Sequence, residues 1–192
     1  MPFLFFDINK TPANQHPLYF LDSNVWICVL RPSLTHQYRQ AYVDFFDDLI
    51  VAGTSKIVIT NLLLSEIINA YLRQVAMEVF FQSRGENPRA KNYKWDYREG
   101  VGKSDFRRQL NKICNDLLSF QSYFEFLEDD FVKIDPLKLL TDFQKQNADY
   151  NDYYYYKLCL QHNIPIVTDD GDFVFPDLEI ITANNKLLKI KS

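Results

Sequence analysis

Leu18-Tyr19-Phe20-Leu21-Asp22-Ser23-Asn24-Val25 is the stretch that decides how this chain is read. Four apolar residues run without a polar break, as a strand buried on both faces requires. A carboxylate follows directly. Residues 24–30 then continue apolar and stop before Arg31-Pro32, which predicts a short helix. A buried strand that ends on an acid and turns at once into a helix is the opening of an α/β fold, in which ligands bind at the carboxyl ends of the strands.

The same alternation recurs on the C-terminal side. Residues 35–52 carry Tyr38, Ala41, Tyr42, Phe45, Phe46, Leu49 and Ile50 at helical spacing, and Gly53 ends that helix. Lys56-Ile57-Val58-Ile59 reads as a second strand, after which Thr60 or Asn61 caps a long helix over about 61–82. Gly85, Pro88, Gly100 and Gly102 break the pattern, so about 83–105 reads as an inserted loop. The spacing then predicts a helix over about 104–127, a strand at 131–134, and a helix opened by Asp135-Pro136 and reaching about 146. A helix over 149–162 and strands at 164–167 and 178–181 complete the chain. Strands alternating with helices imply a three-layer α/β/α sandwich around a central, mostly parallel five-stranded sheet. Residues 1–17, punctuated by Pro2, Pro12 and Pro17, read as an N-terminal arm ahead of a single domain over 18–192.

Composition bounds the function. With 47% hydrophobic and 16% aromatic residues in a chain of 192, the protein can bury a sizeable core and is not disordered. A net charge of −4 excludes nucleic-acid binding through overall charge and leaves room for a local basic patch. Cys28, Cys114 and Cys159 lack the spacing of a disulfide framework or zinc site and read as buried free thiols of a reducing cytosol. His16, His36 and His162 form no zinc-type pair. Gly102-Lys103-Ser104 imitates the end of a P-loop, but the earlier glycine that motif needs would fall at Tyr97. No apolar run approaches the ~18 residues of a membrane span, so the expectation is a cytoplasmic protein with no membrane partner.

The acids carry the chemistry. Asp22 follows the first strand, and Glu66 lies within two turns of the helix after the second. Asp149 and Asp152 open the helix before 164–167, and Asp170 follows that strand in Thr168-Asp169-Asp170-Gly171-Asp172. Taken singly each has a plain structural reading: strand end, helix surface, helix dipole, turn. Delivered together to one edge they would repel one another, unless a divalent cation neutralises them. Oxygen-only ligands suit Mg²⁺ or Mn²⁺, the ions of phosphodiester hydrolysis.

These residues resemble the motifs of the PIN-domain nucleases, most closely the VapC-like toxins, over about residues 18–182. Leu21-Asp22-Ser23-Asn24-Val25 is similar to the family's first-acid motif, and Thr60 to Glu66 to its second. The spacing from Asp152 to Thr168 matches that from the third acid to the fourth motif. Val167-Thr168-Asp169-Asp170 followed by Asp172-Phe173 resembles that fourth motif itself. The resemblance implies Asp22, Glu66, Asp152 and Asp170 as metal ligands or supporting acids, with Asp22 and Asp152 holding the principal ion. It implies Thr168 as the hydroxyl that orients an acid or water, and Asn24, Asp149 and Asp172 as accessory residues. The implied protein is a Mg²⁺- or Mn²⁺-dependent endoribonuclease, the toxin of a type II toxin–antitoxin pair. It would be a homodimer with RNA as substrate and an antitoxin as protein partner. Two other readings stay open: a PIN-like module that holds RNA or protein without cutting, and a Mg²⁺-dependent phosphatase. Phosphatases of the haloacid dehalogenase type need a second Asp where this chain has Asn24.

Residues 83–108 hold eight basic and four acidic side chains, a net of +4, which leaves −8 for the rest of the chain. Arg84, Arg89, Lys91, Lys94 and Arg98, interleaved with Tyr93, Trp95 and Tyr97, suit a single-stranded nucleic acid; a solubilising loop or an oligomer contact fits the composition equally. Tyr153 to Tyr156 fan around a helix, most of them for packing, with one free to stack on a base.

Overall fold

A computed structural model describes residues 2–31, 39–128, 134–144 and 148–190. The chain divides into two compact units, one joining Met1–Asn61 with Tyr123–Ser192 and the other formed by Leu62–Ser122.

Among the described residues the first unit holds six strands, all parallel. β1 is Leu4–Asp7, β2 Leu18–Leu21, β3 Lys56–Ile59, β4 Phe124–Phe126, β5 Ile166–Val167 and β6 Glu179–Thr182, in the spatial order β1-β6-β5-β2-β3-β4. The helices of this unit are α1 (Ser23–Leu30), α2 (Gln40–Ala52), α6 (Pro136–Phe143), α7 (Tyr150–His162) and α8 (Asn185–Leu188), the numbers α3 to α5 belonging to the second unit. Side chains alternate across a strand, and β2 shows both faces covered. The Tyr19 ring meets Phe45 of α2 edge-on at 5.4 Å, and the Phe20 ring meets Tyr155 of α7 at 4.8 Å. The expected three-layer sandwich is therefore present.

Two corrections concern strands. The stretch 1–17 is not wholly an arm: Leu4–Asp7 pairs with Glu179–Thr182 as an edge strand, one of six strands among the described residues where five were expected. Its prolines lie outside that run, and an edge strand needs only one neighbour. The helix expected over 104–127 stops at Ser119, and Phe124-Glu125-Phe126 pairs with β3 instead. Apolar–polar–apolar is a strand's period, and Leu117 and Leu118 are the last residues with helical spacing. Of the strand expected at 131–134, residues 131–133 lie outside the described residues, as do 35–38 of the second predicted helix and 145–146 of the helix after Pro136.

β5 has only two residues, because Pro165 has no N–H to give the ladder; its carbonyl still accepts from Phe20 N at 3.0 Å. The middle of α7 is its buried part, with Leu158 and Cys159 joining the tyrosines in the core. Tyr153, Tyr154, Tyr155 and Tyr156 are all buried, and Tyr156 stacks on Phe175 at 4.5 Å. Core packing, the favoured reading of each, thus holds for all four, and none is exposed to stack on a base.

The second unit holds α3 (Asn61–Ala70, whose first residue belongs to the other unit), a π-helical segment Tyr71–Ala76, α4 (Met77–Ser83), a π turn Tyr93–Arg98 and α5 (Lys103–Ser119). The stretch read as an inserted loop is thus folded. Tyr97 is fully buried, its ring within 5.6–6.3 Å of Phe80, Phe81, Phe106 and Tyr93. Its hydroxyl donates to Asp105 Oδ2 at 2.8 Å, and Tyr71 donates to Gln109 Oε1 at 3.0 Å. Among the described residues no helix is long and apolar enough to cross a membrane.

Candidate active site

From β2 the chain moves one way to β3 and β4, while β5 and β6 lie on the other side. The carboxyl ends of β2 and β5 are therefore the point where strand order reverses, where open α/β sheets form their ligand crevice. Leu21 is in register with Val167, so Asp22 and Thr168 are the next residues out on adjacent strands.

Asp22 is the N-cap of α1 and only 3% exposed. A buried carboxylate is costly unless hydrogen-bonded, and three donors reach this one. Ser23 N donates to Oδ1 at 2.6 Å, and Asn24 Nδ2 and the Thr168 hydroxyl each donate to Oδ2 at 2.6 Å. The Thr168 oxygen in turn accepts from Asp170 N at 3.0 Å and from Asn24 Nδ2 at 3.2 Å. Asn24 closes the loop by accepting from Asp169 N at 3.0 Å. Four of the residues expected in the site, Asp22, Asn24, Thr168 and Asp170, thus share one hydrogen-bonded cluster.

The other expected residues sit as follows. Asp152 is half-buried in the first turn of α7, one turn before Tyr155, which packs on Phe20. Residues three apart share a helix face, so Asp152 lies on the face of α7 from which Tyr155 packs on β2. Asp149 occupies the N-cap position of α7, but its side chain makes no capping bond. Asp172 is exposed, donates its backbone N–H to Asp170 Oδ1 at 2.8 Å and ion-pairs with Lys186. Glu66 is half-buried on α3, in the second unit. In that unit Arg84 and Lys91 both pair with Glu86, and Arg98 with Glu99. Arg89 is exposed, and Lys94 Nζ lies 4.2 Å from the Trp95 ring centre. Trp95, 62% exposed, is the accessible aromatic of its turn, while Tyr97 is core and Tyr93 half-buried under Arg73.

The Asp22 cluster has partners that the sequence did not disclose. Asp169 is buried, in a close ion pair with Arg39 and hydrogen-bonded to Tyr42. Asn184, in the loop after β6, donates to the Asp169 carbonyl at 2.7 Å. Thr168-Asp169-Asp170 was the only signal for Asp169, and Tyr42 looked like an ordinary core position. The thiols stay chemically quiet: burial pushes Cys28 and Cys159 above the ordinary cysteine range, away from the thiolate that reacts. Cys28 and Cys159 are buried as expected, and Cys114 only partly.

The donor chemistry suits one class of cation. Asp22, Thr168, Asp170 and Asp152 offer oxygen alone, which fits Mg²⁺ or Mn²⁺ and not zinc. Among the described residues no group of three or more His, Cys, Asp or Glu side chains is arranged as a ready-made cage. Mg²⁺ does not require one, since it is commonly held by one or two carboxylates with waters and substrate phosphates completing the shell.

The model of the PIN domain family matches residues 19–178. No curated protein matches the chain. A solved structure, VapBC2 from Rickettsia felis bound to a DNA fragment from their promoter, is similar at 14% identity with a TM-score of 0.47, over 86% of this chain and 98% of that one.

Proposed function

Since the chain belongs to the PIN domain family over residues 19–178, we propose that it is a metal-dependent endoribonuclease. It hydrolyses phosphodiester bonds of single-stranded or structured RNA with Mg²⁺ or Mn²⁺. The supporting observation is the buried Asp22 carboxylate, fixed by Thr168, Asn24 and Ser23 at the point where the strand order reverses.

Asp22 and Asp152 would hold the principal cation, with Asp170 as the third acid of the set. Glu66, in the second unit, is proposed as a ligand on its spacing from Thr60 alone. When bound, a divalent cation supplies Lewis acidity toward the scissile phosphate. The chain supplies orientation. Asn24 and Thr168 fix the direction of the Asp22 carboxylate, and the Asp172 N–H holds one oxygen of Asp170. Asp149 and Asp172 would be accessory residues of the set. In the second unit Arg89, Lys94 and Trp95 remain available to RNA, and Arg84, Lys91 and Arg98 would have to exchange their acidic partners for phosphate.

The sequence resemblance to VapC-like toxins supports the finer role: the toxin of a type II pair, a cytoplasmic homodimer restrained by an antitoxin. A small DNA-binding reading frame beside the gene would support it.

The deciding experiment is cleavage of single-stranded RNA with Mg²⁺ or Mn²⁺, wild type against Asp22→Asn. The expected result is cleavage that requires the cation and is lost in the variant. RNA bound but uncut by the wild type would make the protein a binding module. Hydrolysis of small phosphoesters but not RNA would make it a phosphatase.

A further inference from the structure

Behind the contact between Asp22 and Thr168 lies a second set of polar groups that the proposed reaction does not touch. Asp169 Oδ2 is 2.7 Å from Arg39 Nε, and its Oδ1 accepts from the Tyr42 hydroxyl at 3.1 Å. The Tyr42 oxygen is also 3.1 Å from the Thr168 carbonyl and from Thr182 Oγ1, and it accepts from Ala183 N at 2.9 Å. One hydroxyl thus ties α2 to the ends of both β5 and β6. Asn184 takes the Asp169 carbonyl from one side, and Asn24 takes its N–H from the other. That same Asn24 side chain donates to Asp22. The turn 168–170 is therefore held at its backbone and at its middle side chain, and one amide couples it to Asp22.

The hydrogen bonds that Tyr42, Asn24 and Asn184 make to this turn fix angles that apolar packing leaves loose. The Tyr42 ring is fully buried, so its hydroxyl cannot turn to water instead.

Resting on the nuclease reading of this edge, we propose that Tyr42, Asp169 and Arg39 form a brace that fixes the 168–170 turn. They are positioning residues: they touch no substrate, and they set where the Thr168 hydroxyl and the Asp170 carboxylate point. A group held for reaction loses rate steeply on small displacement, about a hundredfold for about 1 Å.

The test compares Tyr42→Phe with Tyr19→Phe. Tyr19 is equally buried, but its hydroxyl serves Pro12 and His16 instead of the 168–170 turn. Two quantities are measured: steady-state cleavage of single-stranded RNA with Mn²⁺, and amide hydrogen exchange at Asp169, Asp170 and Ala183. The expected result is that Tyr42→Phe lowers kcat by about ten- to a hundredfold with KM within about twofold, and speeds exchange at those amides. Tyr19→Phe does neither. Equal kcat for the two variants of an active enzyme would overturn the brace. A wild type that cuts no RNA would overturn the nuclease reading instead. Exchange then decides the brace alone: faster amides in Tyr42→Phe support it, and unchanged amides overturn it. Should Tyr42→Phe fail to fold, Arg39→Gln takes its place with the same readouts, since that side chain is 38% exposed.

Discussion

Thr168 gives its hydroxyl hydrogen to Asp22 Oδ2 at 2.6 Å, across two adjacent strands and 146 positions of sequence. The bond is buried, and the same oxygen accepts from the Asp170 backbone. Thr168→Val keeps the shape and removes the hydroxyl, so a buried carboxylate and a backbone N–H each lose a partner. The expected loss is about 2–4 kcal/mol of stability, read by urea denaturation, together with most of the cleavage activity. Thr168→Ser keeps the hydroxyl and should cost about 1 kcal/mol for the lost methyl. Equal losses in the two variants would mean that the hydroxyl does not matter.

Stability should fall on the alkaline side. Burial is the main cause that raises the Tyr42 and Tyr97 hydroxyls above the ordinary tyrosine range, and the neighbouring Asp169 and Asp105 carboxylates add to it. A group whose pKa is higher in the fold than in the unfolded chain stabilises fully below the unfolded value, and the effect is lost as pH rises through the folded value. The unfolded chain therefore begins to release these protons near pH ~10 while the fold retains them, and the denaturation midpoint should drop from there upward. Tyr97→Phe should flatten the alkaline slope. An unchanged slope would remove Tyr97 from the account.

Much of this architecture was legible because it follows from short-range chemistry. β2 and β3 are unbroken apolar runs bounded by polar residues, and Asp22 ends the first of them. The Asp22, Asn24, Thr168 and Asp170 cluster could be read because strand ends are where an α/β sheet puts its chemistry. β1 was missed because four residues among prolines become a strand only when β6 offers an edge. Tyr42 was missed for a related reason. Its ring follows the helical apolar spacing, and nothing local announces that the hydroxyl meets Asp169, 127 positions away. Tyr97 looked like a nucleic-acid contact because basic neighbours surround it in sequence, and only tertiary packing shows it as core.

Gly100 and Gly102 break the helical pattern of the sequence, and the structure gives them a steric reason. A Cβ on Gly100 would lie 2.2 Å from the Trp95 carbonyl oxygen, and one on Gly102 would lie 2.4 Å from Tyr97 Cδ2 and 2.8 Å from Tyr97 Cα. The π turn closes onto these two positions. Gly100→Ala and Gly102→Ala should each destabilise the second unit by about 1–3 kcal/mol or more, followed through the Trp95 region by fluorescence and limited proteolysis. Gly85 has φ +71° and open space around it, so Gly85→Ala meets only the backbone cost of a left-handed conformation, about 1 kcal/mol. Equal effects at all three glycines would contradict the steric account.

Metal linkage tests the acid set independently of catalysis. A cation that binds only the folded chain raises its stability by about 2.7 kcal/mol at a hundred times Kd. Mn²⁺ or Mg²⁺ should therefore raise the melting temperature of the wild type. Asp152→Asn should lose most of that rise, since Asp152, in the first turn of α7, is one of the proposed ligands. A full rise in the variant would take Asp152 out of the set. The same titration with Glu66→Gln decides whether the spacing from Thr60 alone identified a ligand.

Trp95 isolates RNA contact from folding. Its ring is 62% exposed with Lys94 Nζ 4.2 Å from the ring centre, so truncation leaves no cavity in the core. A base stacked on such a ring contributes about 1–3 kcal/mol. Trp95→Ala should weaken single-stranded RNA binding by about tenfold or more while leaving the melting temperature unchanged. Lys94→Ala should weaken it less and lower its salt dependence, because a phosphate contact releases a counterion and a stacked base does not. Arg84→Ala should do little, because its guanidinium is already paired with Glu86. If Arg84→Ala proved the more damaging of the three, RNA would approach through the paired arginine and not through the exposed ring.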